Sequence, residues 1–255
     1  MFEPELAGRP VYRIYQWAWE SLDWIFPPYC AGCGKAGARW CARCQAAMSL
    51  VEEPCCLRCG RSIAYEGVCI KCRKDPPNFH ALRSVAYFEG PLRKAVHRLK
   101  YKGDLALGEI LSRPIIKALR RLNWDIDLVT PVPLARERQK KRGYNQAALL
   151  ARPLAISLNL VYQPKALIKI RETPTQVGLT LSERRANVRG VFQACSELVV
   201  GRKILILDDV ITSGATLDAC AQALSQAGAQ EIYALTLTRA LYAEKDRTEA
   251  TGFSD

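Results

Sequence analysis

The chain has 255 residues, and its 37 Lys and Arg against 25 Asp and Glu give a formal net charge of +12. Hydrophobic residues make up 49% and charged residues 24%, a balance that supports a sizeable core and excludes wholesale disorder, a collagen-like fibre and a disulfide mini-protein. No stretch approaches the roughly 20 uncharged apolar residues of a membrane-spanning helix. The first residues also lack the basic start and apolar core of a secretory signal. We therefore expect a cytoplasmic protein of one or two domains.

The N-terminal region, 1–27, contains an apolar and aromatic segment that reads VYRIYQWAWESLDWIF. Ile14, Trp17 and Leu22 recur at near-helical spacing, while charged residues interrupt the run. The pattern predicts an amphipathic helix. Two roles stay open for it: docking against its own chain, or binding a membrane surface or a partner protein.

Eight of the 11 cysteines form four C-x2-C doublets within a short region, 28–77. These cysteines are Cys30, Cys33, Cys41, Cys44, Cys56, Cys59, Cys69 and Cys72. A C-x2-C turn places two thiolates on one side of a tight loop, and two such turns close a tetrahedral zinc site. Because a closed four-thiolate site leaves no position for water, we expect two structural Zn2+ sites and no chemistry at them.

The pairing of the doublets is open. Sequential pairing, first with second and third with fourth, is simplest because local loops close at lower entropic cost. Crossed pairing is the alternative, and Cys55 could take the place of Cys56. The Pro76-Pro77 step disfavours both helix and central strand, and it marks the boundary of this cysteine module.

The next region, 82–240, has the composition of an ordinary α/β domain, and 241–255 is a polar tail. Apolar patterning predicts strands at 83–88, 127–130 and 166–170 and helices at 91–101 and 147–158. Between 129 and 190, 12 Lys and Arg stand against 3 Asp and Glu, so three quarters of the net charge lies in this stretch. Such a cluster fits a polyphosphate site, a solvated basic face or contacts to nucleic-acid phosphates.

The most specific pattern is K-ILIL-DD-VITSGAT-L at 203–217. Its first apolar run predicts a buried parallel strand, and the stretch 217–227 predicts a helix. Ligands of open α/β sheets bind at the carboxyl ends of strands, where a loop of small residues and a helix N-terminus favour phosphate. Asp208 and Asp209 would repel a bare phosphate. They fit if they bind sugar hydroxyls or face a divalent cation, so we expect a phosphorylated sugar as the ligand, with Mg2+ as the candidate cation.

This segment resembles the phosphoribosyl-diphosphate (PRPP) motif of type I phosphoribosyltransferases. The resemblance implies a parallel twisted sheet with flanking helices and a flexible hood loop, preceded here by a small zinc-ribbon module. It implies that Asp208 and Asp209 meet the ribose hydroxyls, and that pyrophosphate meets Pro133 and Leu134, with Arg142 among the cations at the site. The implied 5′-phosphate loop consists of Thr212, Ser213, Gly214, Ala215 and Thr216.

The stretch 173–190 resembles the flexible loop that closes over the site in the same enzymes. Its candidate residues are Gln176, Arg184, Arg185 and Asn187. Closure would exclude water from a glycosyl-transfer transition state. The arginines could instead contact another phosphate-bearing partner.

Over nearly its full length, the chain resembles the ComF family of competence-associated proteins. Besides the cysteine doublets and the PRPP motif, the resemblance rests on Leu99–Asp104 and on Arg142-Gly-Tyr-Asn-Gln146. It implies a role in natural transformation, with incoming single-stranded DNA handled on the cytoplasmic side of the inner membrane. Competence proteins and peripheral membrane contact are further expected partners. The family implies no known acceptor.

Three functions therefore compete. The first is a PRPP-dependent transferase with an unidentified acceptor, and the second is a non-catalytic nucleic-acid-binding module on the same fold. The third, nucleobase salvage, is opposed by the cysteine module and by the lack of a base-recognition signature. We favour a DNA-uptake function with a functional PRPP pocket, and leave turnover open.

Overall fold

The computed structural model describes residues 10–25, 28–172, 183 and 187–241, with the side chains of 18–25 excepted. The helices are α1 (Pro10–Ile25), α2 (Ala42–Ala46), α3 (Ile70–Lys74), α4 (Gly90–Tyr101), α5 (Ala106–Leu122), α6 (Arg136–Arg142), α7 (Gln146–Leu158), α8 (Ser196–Val199) and α9 (Ala215–Gln226). The strands are β1 (Ala81–Tyr87), β2 (Leu128–Pro131), β3 (Val161–Tyr162), β4 (Leu167–Lys169), β5 (Phe192–Ala194), β6 (Lys203–Ile211) and β7 (Glu231–Arg239).

A five-stranded parallel sheet with the order β1-β7-β6-β2-β3 forms the centre of the fold. Successive side chains of a strand point to opposite faces, and β6 buries both sets. Leu205 and Leu207 pack with α4, α5 and α7, whereas Ile204 and Ile206 pack with α9. The α/β class with a parallel sheet, expected from the sequence, is confirmed.

Strand β6 is longer than its apolar run predicts. It continues to Ile211, because Asp208 and Val210 keep their pairing with Thr236 and Thr238 of β7. The acidic pair therefore lies inside the carboxyl end of the strand and not after it. Helix α5 and strand β7 have no counterpart among the sequence-based expectations, although both contribute to the core.

The short strands β4 and β5 form a separate antiparallel pair. They flank the stretch expected to be a flexible loop, of which 173–182 and 184–186 lie outside the described residues. Of the tail, only Leu241 is described.

The cysteine module docks against the edge strand β1. Tyr87 N donates to Ser49 O at 2.8 Å, Val51 N donates to Val85 O at 3.1 Å, and Leu82 N donates to the carbonyl of Arg58 at 2.7 Å. The β1 edge of the sheet is thus covered by the chain itself, which protects this edge from pairing with other molecules.

Helix α1 docks against its own chain through Tyr12, which is fully buried and donates a hydrogen bond to Glu109 Oε1 at 2.9 Å. Burial and the neighbouring Glu109 carboxylate raise the pKa of Tyr12. Of the two roles considered for this helix, the structure shows docking. None of the helices in the described part of the chain combines the length and apolar character that crossing a bilayer requires.

Candidate functional site

The eight doublet cysteines gather into two groups of four. Cys30, Cys33, Cys41 and Cys44 form the first group, and Cys56, Cys59, Cys69 and Cys72 form the second. This is the sequential pairing that loop entropy favours. Cys55 belongs to neither group, because its Sγ donates to Glu53 Oε1 at 3.2 Å.

The geometry of both groups fits zinc. Sulfur–sulfur distances are 3.6 Å for Cys30–Cys44, 3.7 Å for Cys33–Cys41 and 3.9 Å for Cys59–Cys69. With Zn–S bonds of about 2.3 Å, the edge of a tetrahedral site is about 3.8 Å. The two groups therefore suit structural zinc sites of four thiolates each.

Backbone donors in each group favour the thiolate that zinc requires. The N–H of Cys41 donates to Cys30 Sγ at 3.5 Å, and the N–H of Cys69 donates to Cys56 Sγ at 3.3 Å. Although burial alone would raise it, such backbone hydrogen bonds lower the pKa of Cys30 to about 6. Burial raises the pKa of Cys44 in the same group, so zinc binding there would release a proton.

The two aspartates at the end of β6 lie in different environments. Asp209 is 2% exposed, and its carboxylate meets Lys100 Nζ at 2.6 Å and Gln146 Nε2 at 3.2 Å. Asp208 is only partly buried, and its Oδ1 accepts the backbone N–H of Asp209 at 2.9 Å. Burial and the adjacent Asp209 carboxylate raise the pKa of Asp208 well above its usual range.

A chain of contacts links Arg142, at the end of the basic helix α6, to the acidic pair. Arg142 Nη1 donates to Gln146 Oε1 at 2.7 Å, and its guanidinium lies 4.9 Å from the ring centre of Tyr101. Tyr144 Oη donates to the carbonyl of Leu99 at 2.6 Å. The last turn of α4 and the connection between α6 and α7 are thereby held together beside the acids.

Lys100 and Gln146 are the site residues that sequence reasoning missed. Both lie within segments that carry the ComF resemblance, but no role was attached to either. The usable signal was physical: an acid at the buried end of a parallel strand requires a cationic or hydrogen-bonding partner from another element.

The candidate phosphate loop connects β6 to α9. Gly214 has φ +84° and immediately precedes the helix, whose first N–H groups have no intrahelical partner. A Cβ at this position would meet Ile211 Cδ1 at 3.5 Å, an ordinary contact, so glycine is needed for the backbone conformation and not for space. The hydroxyl of Ser213 accepts the N–H of Ala215 at 3.4 Å.

Pro133 and Leu134 line a different cavity, of about 480 Å³, whose lining does not include the acidic pair. Asn145 fixes this loop: its Nδ2 donates to Val132 O at 2.9 Å, and its Oδ1 accepts the N–H of Ala147 at 2.9 Å at the start of α7. Lys169, from β4, lies across the cavity, and burial lowers its pKa.

Three of the four candidate flexible-loop residues, Gln176, Arg184 and Arg185, lie outside the described residues. Asn187 is described and partly buried, next to the buried Val188. Their assignment to a closing loop stays a prediction.

Two family profiles match separate parts of the chain. A family profile described as a double zinc ribbon domain matches residues 21–73. A second profile, described as a phosphoribosyl transferase domain, matches residues 140–253. The second match contains both the acidic pair and the loop before α9.

Individual relatives extend over most of the chain. "DNA utilization protein YhgH" of Escherichia coli O157:H7 is 32% identical over 208 residues, which cover 79% of this chain and 90% of the relative. "Competence protein F" of Haemophilus influenzae is 30% identical over 208 residues, covering 78% and 90%. "Competence protein ComFC" of Bacillus subtilis is 26% identical over 213 residues, covering 80% and 86%. The chain therefore belongs to the ComF family, which includes competence protein F and DNA utilization protein YhgH and combines a double zinc ribbon with a phosphoribosyltransferase domain.

Proposed function

We propose that this protein binds PRPP with Mg2+ at the carboxyl end of β6 and acts in natural transformation, where it handles incoming single-stranded DNA on the cytoplasmic side of the membrane. One observation carries the proposal: the acidic pair at the carboxyl end of β6 is followed, after a short loop, by a left-handed Gly214 and the N-terminus of the 12-residue helix α9. The names of the relatives support the DNA-related role.

The acidic pair suits a sugar that carries phosphate. Asp209 is already engaged by Lys100 and Gln146 inside the protein, so its charge is offset there. Asp208 is the more accessible carboxylate and would face ribose hydroxyls or Mg2+, which prefers oxygen ligands. The phosphate itself would lie at 212–216, where backbone N–H groups and the helix N-terminus favour an anion.

The DNA-binding part of the proposal draws on the exposed basic helix α6. None of its residues is buried, and four of its cations, Arg136, Arg138, Lys140 and Lys141, are exposed. Nearby, Tyr101 is 59% exposed and offers a ring for base stacking beside the guanidinium of Arg142. Cations with an aromatic platform suit single strands without sequence preference.

Whether PRPP is consumed is a separate matter. A transferase would need an acceptor next to the sugar, and the cavity lined by Pro133 and Leu134 is large enough for a small molecule. Pyrophosphate release upon addition of candidate nucleobases would establish turnover. Its absence, with PRPP binding intact, would assign the site to binding alone.

PRPP binding is tested by calorimetric titration with PRPP and Mg2+ on two glycine variants. Gly214 and Gly201 both have left-handed φ values, +84° and +67°, and a Cβ at either position meets no atom closer than 3.5 Å. Each change to Ala should cost about 1 kcal/mol of stability. Only Gly214→Ala should also weaken PRPP binding, by about tenfold, since it distorts the phosphate loop. Equal affinities in the two variants would contradict the proposal.

DNA binding is tested by the salt dependence of affinity for a single-stranded oligonucleotide. Two triple variants remove the same charge, namely Arg138→Gln, Lys140→Gln and Lys141→Gln on α6, and Lys117→Gln, Arg120→Gln and Arg121→Gln on α5. Loss of three phosphate contacts should reduce the slope of log K against log salt by about 2 for the α6 variant. The α5 variant should keep the original slope. A flat salt response in the unaltered protein would remove DNA from the proposal.

A further inference from the structure

A small cavity separates the second four-cysteine group from the candidate phosphate loop. Its volume is about 60 Å³, close to the size of one phosphate group. On one side it is lined by Cys59, Arg61, Lys71 and Cys72 of the cysteine module. On the other side it is lined by Ile211, Ser213, Gly214, Ala215 and Arg239. We call this space the intermodule cavity.

Direct hydrogen bonds hold its two sides together. Arg239, the last residue of β7, donates from Nη2 to the carbonyl oxygen of Cys59. In the linker after the cysteine module, the backbone N–H and the Nδ2 of Asn78 donate to Asp218 Oδ1 at 2.7 and 3.1 Å. Asp218 lies in the first turn of α9. The cysteine module and its linker are thus fastened to the end of β7 and to the first turn of α9, the helix that follows the candidate phosphate loop.

Cations outnumber carboxylates around the intermodule cavity. Arg61, Lys71 and Arg239 line it, together with Asp75 and Asp218. The carboxylate of Asp218 is engaged by Asn78, as described above. The cavity therefore places three cationic side chains beside the N-terminus of α9, and both features favour a bound anion.

Arg239 supplies an independent indication of a missing partner. It is 3% exposed, and its Nε has no hydrogen-bond partner within the described part of the chain. An unsatisfied buried donor on a charged group is costly. A phosphate oxygen in the intermodule cavity would satisfy that donor.

We propose that the second zinc ribbon completes the phosphate site, with Arg61 and Lys71 of the ribbon and Arg239 of β7 binding the same phosphate group that the 212–216 loop holds. The proposal rests on the proposed function, because it concerns the sugar phosphate assigned to that loop. In this arrangement, the cysteine module is part of the ligand site and not only a stabilising appendage.

The cations of the zinc ribbon could have a different role, and the experiment must distinguish it from phosphate binding. Four thiolates around one Zn2+ carry a formal charge of about −2, and nearby Arg and Lys side chains can offset it. If that were the role of Arg61 and Lys71, their loss would weaken zinc retention and leave phosphate affinity unchanged. Zinc content and ligand affinity must therefore be measured on the same samples.

The test compares zinc-loaded full-length variants by calorimetry with ribose 5-phosphate and with PRPP and Mg2+. Lys71→Gln and Arg61→Gln each remove a cation from the cavity lining. Lys74→Gln is the matched control, because Lys74 lies on the same short helix as Lys71, is exposed and does not line the cavity. Each lining variant should lose about tenfold in affinity for both ligands, as expected for one charge-assisted hydrogen bond. Zinc should remain at two ions per chain.

Three outcomes would overturn the proposal. If Lys71→Gln and Arg61→Gln bind ribose 5-phosphate as tightly as Lys74→Gln does, the ribbon does not contact the phosphate, and the proposed function survives alone. If either lining variant loses zinc at unchanged affinity, its cation serves the thiolates. If the unaltered protein binds neither ligand, the proposed function fails and this inference fails with it.

Discussion

Lys100 Nζ lies 2.6 Å from Asp209 Oδ2 and joins the last turn of α4 to the carboxyl end of β6. The Asp209 side chain is 3% exposed and that of Lys100 is 21% exposed, so the pair is largely removed from water. Lys100 is the cation that meets this carboxylate, and Gln146 adds a neutral hydrogen-bond donor. Removing the cation would leave a buried carboxylate uncompensated, which is costly.

Replacing Lys100 by Met should destabilise the protein by about 2 to 3 kcal/mol, because it leaves a buried carboxylate without its cation. The measurement is the free energy of unfolding in urea. Lys94→Met is the control, since Lys94 is an exposed lysine on the same helix. Combining Lys100→Met with Asp209→Asn should recover much of the loss. Equal costs for Lys100→Met and Lys94→Met would show that the pair contributes nothing.

The affinity for PRPP with Mg2+ should rise with pH through the ionisation of Asp208. Burial and the Asp209 carboxylate raise the pKa of Asp208, so this group keeps its proton to a higher pH than an ordinary aspartate does. Only the ionised carboxylate binds Mg2+, and the proton therefore competes with the ligand as the pH falls. Calorimetric titrations over a series of pH values would measure the effect.

Two variants isolate the contribution of Asp208 from the ionisation of PRPP itself. Asp208→Asn should bind more weakly and should show a flatter pH dependence. Asp125→Asn removes the same charge beside the amino end of β6, where Asp125 pairs with Lys203 at 2.8 Å, and should behave like the unaltered protein. If all three proteins share one pH dependence, Asp208 takes no part in binding.

Adjacent cysteines should differ completely in zinc binding. Burial and a hydrogen bond to Glu53 raise the pKa of the Cys55 thiol to about 12, so it stays protonated at neutral pH. Cys56 belongs to the second four-cysteine group, and hydrogen bonds from the thiols of Cys59 and Cys72 lower its pKa. Cys55→Ala should therefore keep two zinc ions per chain, whereas Cys56→Ala should keep one. The measurement is the zinc content of the purified variants. Loss of a zinc ion from Cys55→Ala would contradict the grouping of the cysteines.

Features formed by residues close together in the chain could be predicted from the sequence, whereas contacts between distant residues could not. The β6 strand, the phosphate loop and α9 are contiguous in the chain, and so are the two cysteine doublets of each zinc group. Apolar runs and spacing therefore predicted a strand and a helix here and the grouping of the cysteines, although β6 extends beyond its apolar run to Ile211. Lys100 and Asp209 are separated by 108 residues, and only the parallel sheet brings α4 to the end of β6. No local pattern records such a contact, and the same holds for the bond between Arg239 of β7 and Cys59 of the cysteine module.

The glycines that follow the first doublet of each zinc group also differ in a way that the local sequence does not predict. Gly34 and Gly60 occupy equivalent Cys-x2-Cys-Gly positions, with φ values of +77° and +63°. Their N–H groups donate to Cys30 O at 2.8 Å and to Cys56 O at 2.9 Å. A Cβ at Gly34 meets nothing within 4 Å among the described residues, whereas a Cβ at Gly60 would lie 2.4 Å from the carbonyl oxygen of Leu82 in β1. The two turns have the same sequence pattern, but of these two glycines only Gly60 packs closely against the sheet.

Gly60→Ala should therefore destabilise the zinc-loaded protein by about 2 kcal/mol more than Gly34→Ala does. Both variants incur the cost of a left-handed alanine, so their difference reports the clash with Leu82 and the weakening of the bond from Leu82 N to Arg58 O. Urea unfolding, monitored by the exposure of buried aromatic residues, would measure it. Because both variants leave all eight ligand thiols in place, zinc content should be unchanged. Equal stabilities would mean that the second ribbon is not seated on β1 as closely as the structure has it.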